Sequence, residues 1–198
     1  LPPIPEESYV IGVDVAEGLN YGDYSCAQVL DSLGRQVACW HGHVGPWEWG
    51  NIVGQLGKRF NSAYVIVERN NHGLTTLRRL QEIKYPSLFI ESSVDSAYGD
   101  KLTKRGGFLT TSKTKPLIID NLAALLRQEE SGIADLELVN ELRTYVIDEK
   151  GSFNSQRGCY DDRVIAQAIA LHGLASMPRT RLPRIQKRYQ SVDSVAGY

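Results

Sequence analysis

YVIGVDVAEG, residues 9–18, sets Tyr9, Ile11 and Val13 on alternate positions, as a strand with one buried face requires. The pattern then breaks at a single acid, Asp14, followed by small residues and glycine. A carboxylate at the end of a buried strand is costly unless a cation, a metal or a proton neutralises it. The competing reading is an acid that accepts hydrogen bonds from its own turn. The rest of the chain has to decide between the two.

With 198 residues, 42% hydrophobic and 23% charged, the chain suits one globular domain with a substantial core. A net charge of -1 gives no overall attraction to nucleic acid or an anionic membrane, so polyanion binding must come from local basic clusters. Two exist, at 101–115 (KLTKRGGFLTTSKTK) and 179–188 (RTRLPRIQKR). No apolar run approaches the ~18 residues of a membrane span, and no signal peptide is visible, so no membrane partner is expected. Cys26, Cys39 and Cys159 are an odd number without metal-ligand spacing, which points to reduced thiols in a cytosolic compartment and not to a zinc site. LPPIPEES at 1–8 reads as a linker from a missing N-terminal domain, 9–177 as the folded domain, and 178–198 as a basic, flexible tail.

Strands are expected at 9–16, 24–32 and 35–43, joined by short turns into an antiparallel meander. A helix follows at 46–60 with Pro46 in its first turn, and Trp40, Trp47 and Trp49 are assigned to the core. The β-branched run at 63–69 (AYVIVER) reads as a central strand ending in Glu68. Further expectations are a helix at 74–83, a short strand at 88–90 and a flexible loop or projecting hairpin at 92–114. Helices at 115–128 and 135–145, a loop at 151–158 and an Ala-rich helix at 160–175 complete the chain. The order predicts an α/β fold: a central mixed five-stranded sheet, three antiparallel strands and then parallel ones, flanked by helices.

Three acidic positions share one design in this scheme. Asp14 ends the first strand, Glu68 ends the fourth, and Asp161 and Asp162 open the last long helix. Strand ends of an α/β sheet are where sites are built, and adjacent strands would bring Asp14 and Glu68 together. Converging carboxylates repel one another and persist with cations between them; hard oxygen ligands select Mg²⁺ or Mn²⁺. Two such ions about 4 Å apart activate a water and stabilise the leaving oxygen of a phosphodiester. Singly, each acid has an ordinary alternative: Glu68 in an ion pair, Asp161 and Asp162 as favourable charges at a helix N-terminus.

This arrangement resembles the RNase H-like nuclease superfamily. IGVDVAEG with GDYS (22–25), VERNNHG (67–73), GGFLTTSKTKPLIIDNL (106–122) and YDDRVIAQAIA (160–170) look more closely like the C-terminal nuclease domain of tailed-bacteriophage large terminases, over residues 9 to 176. The resemblance implies a metal-dependent endonuclease that cuts concatemeric viral DNA at the start and end of genome packaging. It implies Asp14, Glu68 and one or both of Asp161 and Asp162 as ligands of two divalent ions, with Asp23 a further, water-mediated one. Lys101, Lys104, Arg105 and Lys113 are implied contacts to DNA phosphates, with a solvated loop as the alternative. Ala16 and Gly18 would leave room for the phosphodiester. On a helical wheel Asp161 falls near the centre of the apolar face and Asp162 at its edge, where a ligand reaches solvent more easily. That argument, with the acid-x-aliphatic pattern of Asp162 and Val164, favours Asp162 as direct ligand and Asp161 as support. His72 is read as a helix-start hydrogen bonder before a catalytic base.

The resemblance further implies double-stranded DNA, a portal protein and a small terminase subunit as partners, an ATPase domain elsewhere, and the cytoplasm of an infected bacterium as the location. No G-x-x-x-x-G-K-[ST] loop is present, so ATP hydrolysis is not expected of these residues. The alternatives are a Holliday-junction resolvase or ribonuclease H, and a non-catalytic DNA- or portal-binding module. An actin- or sugar-kinase-type phosphate lobe needs a second lobe that this length does not provide.

Overall fold

The computed structural model describes residues 1–19, 22–70, 72–95, 101–128, 132–147 and 153–178, with backbone alone at 93–95 and 101–103. The basic tail at 179–188 and Asn71 of VERNNHG lie outside the described residues.

β1 (Tyr9–Asp14), β2 (Ser25–Asp31) and β3 (Gln36–Gly42) form the expected antiparallel meander, and β4 (Tyr64–Val67) joins β1 in parallel. The order in the main sheet is β3-β2-β1-β4. Alternation along β1 divides the core into two layers. Tyr9, Ile11 and Val13 pack with Trp49, Val53, Leu77 and Leu80 of α1 (Pro46–Arg59) and α2 (Gly73–Glu82). Val10 packs on the opposite face with Ile118, Leu138 and Ile169 of α3 (Thr114–Arg127), α4 (Leu136–Thr144) and α5 (Asp162–Ser176). Each fully buried Val, Leu or Ile contributes about 1.5–3 kcal/mol. No helix among the described residues is long and apolar enough to cross a membrane.

The main sheet has four strands, where five are expected. The fifth position is occupied by two short segments in succession. Val65 N–H donates to Ser87 O (2.9 Å) and Phe89 N–H to Val65 O (2.8 Å). Phe108 N–H then donates to Val67 O (2.9 Å) and Arg69 N–H to Phe108 O (2.7 Å). Between these segments the chain leaves the sheet as an antiparallel hairpin, β5 (Ile90–Asp95) with β6 (Lys101–Gly106). The segment at 88–90 therefore makes a single bridge, Leu88 to Val65, before Ile90 takes Gly106 as its partner. The hairpin reading of 92–114 matches this; the loop at 151–158 does not, because β8 (Phe153–Ser155) pairs with β7 (Tyr145–Ile147). Strands of three residues are too short to show a period.

Trp49 is fully buried and Trp40 packs against it at a tilt of 37° with centroids 4.4 Å apart, but Trp47 is 42% exposed and lies under the Arg79 guanidinium at 4.9 Å. The segment before β1 is tied down: Asn61 Nδ2 donates to Ile4 O (2.8 Å) and Glu7 O (3.0 Å), and Ile4 N–H donates to the Tyr9 hydroxyl.

Contact between β1 and α5 sets the position of everything at the site. A Cβ on Gly12 would lie 2.1 Å from Ala166 O and 2.4 Å from Ala170 N, so only glycine lets the helix rest on the strand at this depth. Gly12→Ala is expected to destabilise the fold by roughly 1–3 kcal/mol or more, read as a fall in the urea midpoint; an unchanged midpoint would contradict this packing.

Candidate metal-binding cleft

Strand alternation carries the side-chain parity of Val10 and Gly12 to Asp14, which therefore faces α5. Two residues along the strand from Gly12 matches one helical turn back from Ala166, so Asp14 meets the residue at that turn, Asp162. The same parity carries Ile66 of the α5-facing core to Glu68. Parallel register sets Val13 beside Val67, and Glu68 N–H donates to Val13 O at 2.8 Å. Gly73 keeps the start of α2 against this strand end: a Cβ there would lie 1.8 Å from Glu68 O.

Asp14, Asp23, Glu68, Asp161 and Asp162 line one open cavity of about 570 Å³ with Ala16, Asn70, Thr110–Ser112, Lys115 and Phe153 and Asn154 of β8. The acids predicted from separate elements are thus brought together. Gly18 is not at the cavity; its Cα packs against Val44 and Gly45, where a Cβ would be 2.6 Å from Val44 O.

Electrostatics of the cleft are those of crowded carboxylates. Enclosure raises the Asp14 carboxyl well above its ordinary range, and repulsion from Glu68 adds to it, together with hydrogen bonding to Glu68 and the charges of Asp162 and Asp161. Burial also raises Asp161, against the lowering effect of Lys115. Three of the five acids have separate neighbours: Asn70 Nδ2 donates to Glu68 Oε1 (2.8 Å), Lys115 Nζ stands 3.6 Å from Asp161 Oδ2, and His41 Nε2 stands 3.8 Å from Asp162 Oδ2. In this arrangement no three His, Cys, Asp or Glu side chains of the described residues share reach of a single ion. The donor set itself fits a hard divalent cation. Asp162 Oδ2 is buried and accepts no hydrogen bond, and five carboxylates face one ammonium. A buried acceptor left in that state is a cost that a cation removes.

The two helix acids exchange the roles the wheel gave them. Asp161 caps α5 with φ −135° and ψ 11°, off the helical wheel, and its side chain is 30% exposed; Asp162 is the first helical residue, and its side chain is 6% exposed. The preference for Asp162 on grounds of solvent access is overturned, because counting 100° per residue does not apply to a residue outside the helix. Its claim now rests on burial, an unsatisfied oxygen and its approach to Asp14.

The predicted phosphate contacts divide. Lys113 is exposed beside Ser112 at the cleft lip. Arg105 lines a different cavity, Lys104 is exposed on β6, and the Lys101 side chain lies outside the described residues. His72 holds the N-cap position of α2, where its carbonyl accepts from Thr75 N–H at 3.1 Å without a side-chain cap, and it does not line the cleft; its Nε2 is 3.3 Å from Glu17 Oε1.

Lys115, Asn70 and His41 are site residues that the sequence reading did not single out. TTSKT carried a usable signal for the first. Thr111 Oγ1 accepts from Thr114 N–H (3.1 Å) while Thr114 Oγ1 accepts from Thr111 N–H (2.8 Å), a reciprocal cap with Thr in place of Glu. It fixes the first turn of α3, and hence Lys115, at the cleft wall. His41 near the end of β3 and His43 just beyond it both stack on Tyr24, at 4.4 and 3.9 Å.

The raised Asp14 has a consequence for stability. Its folded-state affinity for protons exceeds the unfolded one, so its contribution falls as pH rises through and above the ordinary carboxylate range. Asp14→Asn is expected to raise the Tm of the metal-free protein at neutral pH, about 2–4 °C for each kcal/mol of repulsion relieved in a domain of this size. The gain should vanish under acid conditions where both states are protonated. An unchanged or lowered Tm at neutral pH in EDTA contradicts the repulsion.

No protein-family model and no curated protein matches the sequence. Solved structures do match its fold. The large terminase nuclease from thermophilic phage G20c with bound magnesium superposes at TM-score 0.63 and 21% identity, covering 86% of this chain and 84% of that one. The cobalt-bound form gives 0.61 and 22% over the same shares. The large terminase nuclease domain of Thermus phage P74-26 gives 0.57 and 22%, over 86% and 81%. Identity at this level carries architecture and leaves activity to the site. The α/β sheet and helices described above have the fold of phage large-terminase nuclease domains.

Proposed function

We propose that this chain is a metal-dependent DNA endonuclease that cuts concatemeric viral DNA when genome packaging begins and ends. The observation that carries the reading is the buried, unsatisfied Asp162 Oδ2 in a cleft where Asp14 and Glu68 also converge. Asp14, Glu68 and Asp162 would hold two divalent ions, Mg²⁺ or Mn²⁺, with Asp161 in support and Asp23 through water. Bound there, such ions supply an activated water and charge stabilisation for phosphodiester hydrolysis.

The chain's own groups do the rest. Asp14, half-buried, and Glu68, buried, project from the adjacent ends of β1 and β4 into the open cleft. Asn70 orients Glu68 through Oε1, leaving Oε2 for the cleft. Lys115, now facing Asp161, is the ammonium available to a non-bridging phosphate oxygen on the α3 side. Ala16 at the floor keeps the backbone approach short. As part of a packaging machine, the domain would work in the infected bacterial cytoplasm beside an ATPase domain, the small terminase subunit and the portal protein.

Plasmid nicking and linearisation test the reading. Activity is expected with Mn²⁺ or Mg²⁺ and none in EDTA. Asp14→Ala, Glu68→Ala and Asp162→Ala should each cost more than the ~10–100-fold typical of an outer partner, and Asp162→Ala at least as much as Asp161→Ala. Cutting that survives EDTA and Asp14→Ala would rule the site out. Preference for junctions or RNA–DNA hybrids over duplex would transfer the chain to another RNase H-like activity, and binding without cutting would make it a docking module.

A further inference from the structure

Among the described residues the cleft sets five carboxylates against Lys115 alone, and the whole chain carries a net charge of -1. A duplex is repelled by such a surface, so attraction has to come from nearby cations. Arg35, Arg79 and Arg163 are committed to Asp31, Glu82 and Glu141.

Arg69 follows Glu68 directly and, by alternation, leaves on the other side of the strand end. There it enters a cavity of about 260 Å³ with Arg78 of α2 and Arg105 of β6. Its side chain is 11% exposed and bonds to Glu91 through Nη2 at 2.8 Å, while its buried Nε has no acceptor. Arg78 is 78% exposed and reaches Glu82 only at 3.6 Å. Arg105 stands opposite Glu91 in the hairpin register, is exposed, and pairs with no acid among the described residues. Scattered surface arginines are ordinarily just solvated. These three converge on one concavity from α2, β6 and the segment just after β4, and one brings a buried N–H that has no acceptor, a state that favours an incoming oxygen ligand. Guanidinium forks match the oxygens of a phosphate.

We propose that Arg69, Arg78 and Arg105 form a phosphate-binding pocket that holds the backbone of duplex DNA beside the acidic cleft, an assignment that rests on the nuclease reading. Glu68 and Arg69, adjacent residues on opposite sides of one strand end, then give cutting and holding a fixed separation.

Binding of a fluorescent duplex by the whole chain, followed by anisotropy in EDTA across a salt series, tests this without cutting. Arg78→Ala/Arg105→Ala should weaken binding about 10-fold or more at low salt and flatten the slope of log affinity against log salt by about 2. Both side chains are exposed, so the fold is kept. Lys58→Ala/Arg59→Ala removes the same charge at the far end of α1 and should change the slope little. Equal effects from the two double variants, no effect from the first, or no duplex binding by the unaltered chain would each overturn the pocket. Stabilisation by inorganic phosphate without any change in duplex binding would assign it to free anions and overturn it too. Normal cutting with an unaltered slope refutes the pocket alone; a pocket-dependent slope without metal-dependent cutting refutes the nuclease reading alone.

Discussion

Close packing of α5 on β1 through Gly12 is the constraint on which the site depends. With Ala166 and Ala170 seated on the strand at that glycine, Asp162 has nowhere to go but toward Asp14. The parallel β1–β4 register adds Glu68 from the other side. Hydrophobic burial on both faces of the sheet therefore holds together charges that repel one another. The raised Asp14 carboxyl and the bare Asp162 oxygen are the local signs of that conflict. Such a cluster gives up stability for a set of hard oxygen donors gathered at one strand end.

A second consequence concerns the distribution of charge. Acids concentrated at the strand ends make the cleft hostile to a polyanion, while alternation sends Arg69 to the opposite side from Glu68. The same strand end thus separates the two signs of charge between neighbouring concavities, the acidic one framed by α3 and α5 and the basic one by α2 and the β5–β6 hairpin. Thr111 and Thr114 add rigidity to the acidic side by locking the first turn of α3.

Much of this was legible in the sequence because the deciding patterns are long or chemically costly. Period-two alternation at Tyr9, Ile11 and Val13, and the β-branched run before Glu68, set both strands and both acids in place. What escaped depends on tertiary context. The fifth sheet position is shared by Leu88 and Phe108, which are far apart in sequence and each contribute a single bridge. Asp161 was placed on a helical wheel although it is the cap, an ambiguity of one residue at a helix end that inverts the burial of two acids. Lys115 and His41 belong to no motif of acids, and only packing brings them to the cleft. Trp47 looks like core by composition, but it lies partly exposed in the first turn of α1, beneath the Arg79 guanidinium.

The central claim is that Asp14, Glu68 and Asp162 form a divalent-metal site, and anomalous diffraction from a crystal soaked in Mn²⁺ tests it most directly. The account predicts anomalous density bounded by those three carboxylates, with Asn70 still holding Glu68 and Lys115 near Asp161. Saturating Mn²⁺ with no density between Asp14, Glu68 and Asp162, or with ions bound only elsewhere on the surface, would contradict it.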